Sequence, residues 1–197
     1  MAFVADVGLV PLAVSAATAQ TALDHLRRIP AGAFTAVNAR SRRLSRLRYG
    51  RRGADFEGGF RGPVREPEMP PELRQLGEEA LEEAKRAVPD APWSAFSIDT
   101  LVVNRYHPGE AVAKHQDPPR WSPCVLGVTL CEDPSGPPSV MQFSEGAARL
   151  PVPTPHRSAY VFHGKAYTDA KHERRGSKRQ RGTVWSLTYR AHRRVVE

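Results

Sequence analysis

Residues 101–117, LVVNRYHPGEAVAKHQD, decide how the rest of the chain is read. An apolar Leu101-Val102-Val103 leads into a polar Asn104-Arg105-Tyr106, Pro108-Gly109 turns the chain, and a short run closes on His115-Gln116-Asp117. On a strand, residues two apart point to one face, so His115 and Asp117 can aim an imidazole nitrogen and a carboxylate oxygen at one metal ion. A third ligand would complete a two-histidine, one-carboxylate face, the arrangement that leaves positions open on non-haem Fe(II) for a co-substrate and oxygen. Downstream, His156, His163, His172 and His192 are the candidates. His-x-Asp by itself is a weak pattern, and its surroundings carry the argument.

After this stretch the chain reads as short strands separated by turns. Apolar runs at 125–130 (VLGVTL), 139–143 (SVMQF), 158–162 (SAYVF) and 183–189 (TVWSLTY) follow one predicted over 96–103, with a turn at Asp133-Pro134-Ser135-Gly136. Before it the chain is more helical. Thr18 or Thr21 can cap a helix running to about residue 29, with Ala22, Leu23, Leu26 and Ile29 as its apolar stripe and Pro30 and Gly32 as its stop. A second helix is predicted over 71–88, opened by Pro70-Pro71, with Leu73, Leu76, Ala80, Leu81, Ala84 and Val88 on one side and glutamates opposite. Residues 2–15 suit one edge strand. Helices followed by many short strands indicate an α+β, mainly β domain built as a sandwich or jelly roll.

Asn104-Arg105-Tyr106-His107-Pro108-Gly109, followed by His115-Gln116-Asp117, resembles the signature of the AlkB family of Fe(II)- and 2-oxoglutarate-dependent dioxygenases. Tyr167-Thr168-Asp169-Ala170-Lys171-His172 resembles that family's segment with the distal iron histidine, and Ser186-Leu187-Thr188-Tyr189-Arg190 its final strand. The resemblance spans roughly residues 95–192. It implies a double-stranded β-helix with N-terminal helices buttressing one sheet, and His172 as the third ligand beside His115 and Asp117. It also implies Fe(II), 2-oxoglutarate and O2 as cofactor and co-substrates. Arg190 would then grip the distal carboxylate of 2-oxoglutarate, and Asn104 and Tyr106, sharing a face, would hydrogen-bond the same molecule. The implied activity is oxidative demethylation of N-methylated bases in DNA or RNA, releasing formaldehyde, succinate and CO2.

Two positions depart from that pattern. A second arginine is usual six residues before the last one, where this chain has Val184; Arg181, three residues earlier, is a possible substitute. Members resembling the bacterial repair enzymes carry an acidic residue two positions after the iron aspartate, where this chain has Pro118-Pro119-Arg120-Trp121. Base specificity therefore does not transfer.

At 197 residues the chain suits a single domain (1–197), with a jelly-roll core over about 95–192. A net charge of +8 suggests a polyanionic partner, nucleic acid ahead of membrane. The charge concentrates in RSRRLSRLRYGRR at 40–52, seven arginines in thirteen positions around Tyr49, with Phe56 and Phe60 among glycines beyond it. Arginines neutralise phosphates and aromatic rings stack on unpaired bases. Arg46, Arg48, Tyr49, Arg51 and Phe56 are therefore candidate substrate contacts, with Trp121 as a further stacking candidate. The resemblance to the AlkB family implies that this basic stretch, about 40–62, is the lid over the substrate, and its Gly/Arg/aromatic composition after Leu47 suits a flexible hairpin. The bland alternative is a solvated loop.

Cys124 and Cys131 provide no disulfide framework, suit a reducing compartment and, at an odd separation on a strand, fall on opposite faces. No apolar run is long enough to span a bilayer, and the N-terminal segment lacks the basic start of a signal peptide. A monomeric intracellular protein of cytoplasm or nucleus is the expectation. Two alternatives stand beside nucleic-acid demethylation: the same chemistry on a protein or small molecule, and a binding module that has lost catalysis, for which Val184 is the hint.

Overall fold

The computed structural model describes residues 3–36, 45–50, 67–118 and 121–192. Its strands are β1 (Val7–Val10), β2 (Thr35–Ala36), β3 (Ser45–Gly50), β4 (Thr100–Tyr106), β5 (Val112–His115), β6 (Trp121–Cys131), β7 (Ser139–Glu145), β8 (Ala148–Thr154), β9 (Ala159–His163), β10 (Lys171–Arg175) and β11 (Val184–His192). Its α-helices are α1 (Ala16–Arg28), α2 (Pro71–Ala87) and the short α3 (Gly164–Thr168). Among the described residues these strands form two antiparallel sheets, ordered β1-β9-β6-β11-β4-β3-β2 and β5-β10-β7-β8. The sheets face each other as a jelly roll, the expected fold.

β11 lies at the centre of the large sheet, paired with β4 on one side and β6 on the other. Side chains alternate along it, so each face takes a different set. Trp185, Leu187 and Tyr189 join Leu101, Val103, Leu126, Val128 and Leu130 on the outer face, where α1 and α2 cover them with Leu23, Leu26, Leu73 and Leu76. The inner face carries Val184, packed with Tyr106 and Cys131, and it turns toward the small sheet. A second inner cluster sets Val125, Tyr160 and Phe162 against Met141, Phe143 and Val152. Cys124 belongs to the outer core and Cys131 to the interior, as their separation predicts, and both are free thiols.

Helix α2 is fixed to the sheet by one buried polar contact. The Tyr189 hydroxyl donates to the Leu73 carbonyl at 2.6 Å, and Gly77 lies flat against the same ring. Helix α1 begins at Ala16, with Ser15 rather than Thr18 or Thr21 as its cap: the Ser15 hydroxyl accepts from the Thr18 backbone N–H at 3.1 Å. Thr21 sits inside the helix and bonds back to the Ala17 carbonyl, so it makes no capping pair with Asp24. The Ser15 N–H donates to Glu79 Oε1 at 2.6 Å, which ties α1 to α2.

Other boundaries also differ from the sequence expectation. β4 starts at Thr100, not 96, and continues through Asn104-Arg105-Tyr106. Of the basic stretch over 40–62, only residues 45–50 are described, and they form strand paired residue for residue with β4; the rest lies outside the described residues. β8 carries Pro151 and Pro153, which hide it in the sequence; it is the edge strand of the small sheet, where a missing N–H on the open side is tolerated. Among the described residues no helix is long and apolar enough to cross a membrane.

Gly77→Ala tests the seating of α2. Alanine normally favours a helix interior by roughly 1 kcal/mol over glycine. Here its Cβ would sit 2.6 Å from the Tyr189 ring, which its hydroxyl bond holds in place. Overpacking of about 1–3 kcal/mol should outweigh the helix gain. Urea unfolding should show net destabilisation of up to about 2 kcal/mol by that difference, while Gly32→Ala, facing open space, changes little.

Candidate metal centre

His115 and His172 meet across a strand pair. They are register partners on β5 and β10, and their rings lie 4.3 Å apart between centroids. Asp117 comes two residues after His115, just past the end of β5, so the pair is not set by strand alternation alone. The donor atoms of His115, Asp117 and His172 all lie within 4.8 Å of one another, the one such group of three among the described residues. His163, the alternative third ligand, is buried at the end of β9 and outside this group. His156 accepts a hydrogen bond from the Cys131 backbone N–H at 3.0 Å, a structural role.

Each ligand is oriented by a neighbour. His115 Nδ1 lies 2.8 Å from the Ala113 carbonyl, so a proton there leaves Nε2 as the ligating atom. His172 is buried against Phe143 and Phe162, and its Nδ1 has no hydrogen-bond partner. Asp117 is buried too, and Arg190 Nη2 sits 2.7 Å from both of its carboxylate oxygens. Burial pushes the Asp117 carboxyl up, but the Arg190 guanidinium outweighs it and holds it below the ordinary range. Burial pulls His172 down to about 3, so the imidazole is neutral at physiological pH. A neutral imidazole, an ionised carboxylate and a second imidazole are the donor set that Fe(II) takes in this geometry.

The other predicted residues divide between the interior and elsewhere. Asn104 and Tyr106 both face inward and are buried, and Arg46 Nε donates to Asn104 Oδ1 at 2.8 Å. Arg46 and Arg48 pair with Asn104 and Val102 and so share their face, with Arg48 exposed toward the edge. Tyr49 points the other way, into the core beneath the helices; alternation withdraws it from any stacking role. Arg181 is exposed and donates to the Ser135 hydroxyl on the turn after β6, so it does not stand in at the Val184 position. Arg190, expected at the distal carboxylate, is paired with Asp117 at the end of the interior where the candidate ligands meet. Trp121 opens β6, but its side chain, like Arg51 and Phe56, lies outside the described residues.

One interior residue was missed. Arg174 is buried on β10 with its guanidinium 4.7 Å from the Tyr106 ring centroid. The signal for it was present: a residue two after His172 on a strand shares its face.

No family model matches the chain, and no curated protein matches it. Solved structures do. A Pseudomonas putida prolyl-4-hydroxylase aligns with TM-score 0.64 at 13% identity, over 96% of this chain and 94% of the other. OsALKBH1 aligns with TM-score 0.64 at 16% identity, over 94% of this chain and 97% of the other. At these identities the likeness is one of fold: the chain shares the jelly roll of both proteins.

The buried neutral His172 predicts a pH dependence of the metal-free protein. Its folded pKa, about 3, lies below the ordinary 6.5, so the unfolded chain binds the extra proton first as pH falls. Stability should be full above about pH 6.5 and decline steadily below it. In chemical denaturation at several pH values His172→Phe should flatten that decline; an unchanged slope would assign it to other groups.

Proposed function

We propose that the chain is an Fe(II)- and 2-oxoglutarate-dependent dioxygenase that demethylates N-methylated bases in DNA or RNA. The observation that carries this is the buried convergence of His115, Asp117 and His172, with Arg190 fixed on the carboxylate. Bound Fe(II), with 2-oxoglutarate and O2, supplies oxidation of a methyl C–H bond, leaving succinate and CO2 as co-products and a hydroxymethyl group that departs from nitrogen as formaldehyde. The protein's part is to hold and to exclude. His115, Asp117 and His172 would hold the metal, a three-residue donor set that leaves Fe(II) free to take the 2-oxo acid and oxygen. Arg190 keeps Asp117 ionised and, beside the candidate ligands, would be available to a carboxylate bound at the metal. Phe143 and Phe162 keep water from the His172 side.

The nucleic-acid substrate is supported by charge and by position. The chain carries +8, and β3 sets Arg46 and Arg48 on the interior-facing side of the large sheet, toward its β2–β3 edge. Phosphate contacts there would position a strand at the roll. A base inside a duplex cannot reach a buried metal, so the substrate base is single-stranded or flipped out. A second reading, hydroxylation of a protein side chain by the same chemistry, draws on the equally good fold match to a prolyl-4-hydroxylase.

Three measurements test this. Anaerobic Fe(II) with 2-oxoglutarate should give a visible charge-transfer band in the wild type that disappears in His172→Ala; a well-folded wild type without the band would leave the nucleic-acid-binding module as the reading. Incubation with methylated single-stranded oligonucleotides should then release formaldehyde, whereas turnover on proline-containing peptides and none on oligonucleotides would favour the second reading. Arg48→Ala should weaken oligonucleotide binding whatever the sequence and lower the dependence of log K on log salt by about one ion.

A further inference from the structure

Arg174 is 1% exposed, and both terminal nitrogens of its guanidinium lack a hydrogen-bond partner. Among the described residues no carboxylate pairs with it. The groups near enough to act on its charge are Tyr106, Tyr160 and Cys131, none of them a carboxylate, and burial pushes the Tyr106 hydroxyl and the Cys131 thiol further from ionising. The Tyr106 ring gives it a cation–π contact at 4.7 Å, a favourable but small term beside the cost of a buried, unpaired charge. An arginine in such a place is a poor structural element and a good anion receptor.

Its position specifies the anion. Arg174 and His172 lie on one face of β10, two residues apart, a translation of roughly 6.6 Å along the strand. That is the scale of a five-carbon dicarboxylate whose 2-oxo acid end lies at the metal. The Tyr106 ring under the guanidinium also packs with Val184 and Cys131, so Arg174 reaches from the small sheet toward the position where β11 supplies only an apolar side chain. On β6, two residues from Cys131, the buried Thr129 hydroxyl also lacks a partner and faces the same interior.

We propose that Arg174 is the receptor for the distal carboxylate of the co-substrate, delivered from β10 in place of the arginine that β11 lacks at Val184. The proposal rests on the 2-oxoglutarate reading above. Arg190 and Arg174 then divide the molecule, one at its metal end and one at its far end. The selectivity of the site for a dicarboxylate over a monocarboxylate of equal length resides in Arg174.

The test is anaerobic titration of the Fe(II) protein with 2-oxoglutarate and with 2-oxovalerate, which lacks the distal carboxylate, following the charge-transfer band. The wild type should bind 2-oxoglutarate about 10–100-fold more tightly than 2-oxovalerate. In Arg174→Met the preference should fall to near unity, with the band still formed at high ligand, and Arg174→Lys should restore part of it. Thermal unfolding of metal-free Arg174→Met should be no lower than wild type, because an unpaired buried charge has been removed; a structural role predicts the reverse. Unchanged discrimination in Arg174→Met would overturn the proposal, as would equal affinities in the wild type, a result that needs no variant. Fe(II) binding without any 2-oxoglutarate band in the wild type would instead remove the underlying reading.

Discussion

The site depends on the ion pair between Arg190 and Asp117. Arg190 belongs to β11, the central strand of the large sheet, while Asp117 follows β5 of the small one. The contact therefore crosses the interior and fixes the aspartate that the chain beyond β5 would otherwise leave loosely placed. Two further contacts hold the same segment from the other side: Gln116 donates its side-chain amide to the Thr168 carbonyl, and the Tyr167 hydroxyl donates to the Pro118 carbonyl at 2.8 Å. A carboxylate has about four lone-pair sites, so one guanidinium nitrogen does not exhaust it. Asp117 can keep Arg190 and still present a lone pair to a metal.

Polarity in the interior is affordable because stability is gathered elsewhere. The outer face of the large sheet and helices α1 and α2 bury a continuous apolar core in which Leu73, Leu76, Leu101, Val103, Leu126, Val128 and Leu187 are fully enclosed. The inner face of the same strands carries Asn104, Ser186, Thr188 and Arg190. Strand alternation lets one strand serve both purposes, since every second residue is released from packing on the helices. Gly127 shows how tightly the interior is arranged: a Cβ there would lie 2.0 Å from the Tyr160 ring, whose hydroxyl lies 3.4 Å from the Ser186 hydroxyl.

What was legible in the sequence follows from this division. The roll, helix α2 and the strands with apolar runs could be read because burial on the outer face leaves a period-two or period-3.6 pattern. His115 and Asp117 could be read from spacing, and His172 from resemblance. β8 was hidden by Pro151 and Pro153, and β10, KHERR, by charge. A strand that lines a polar interior carries no hydrophobic signal, so the pattern fails at the strand that bears the site. Tyr49 failed for the opposite reason: an aromatic among arginines resembles a stacking ring, but the register of β3 on β4 turns it toward the helices. Arg181 was chosen by distance along the chain, whereas the relevant distance runs across the roll.

That last distinction bears on how such sites vary. An anion at the far end of the interior needs one guanidinium within reach, and the sheets offer several strand positions that point there. Val184 on β11 and Arg174 on β10 lie in different sheets, yet both converge on the Tyr106 ring. Moving the charge from one to the other keeps the volume shared between an arginine and an aliphatic side chain nearly constant, so the packing around Tyr106 and Cys131 need not change. The metal ligands have no such freedom, because three donor atoms must meet within one coordination sphere. The motif that holds the metal therefore stays readable along the chain. A guanidinium serving as the proposed receptor for a far carboxylate is under no such constraint and can be delivered from either sheet.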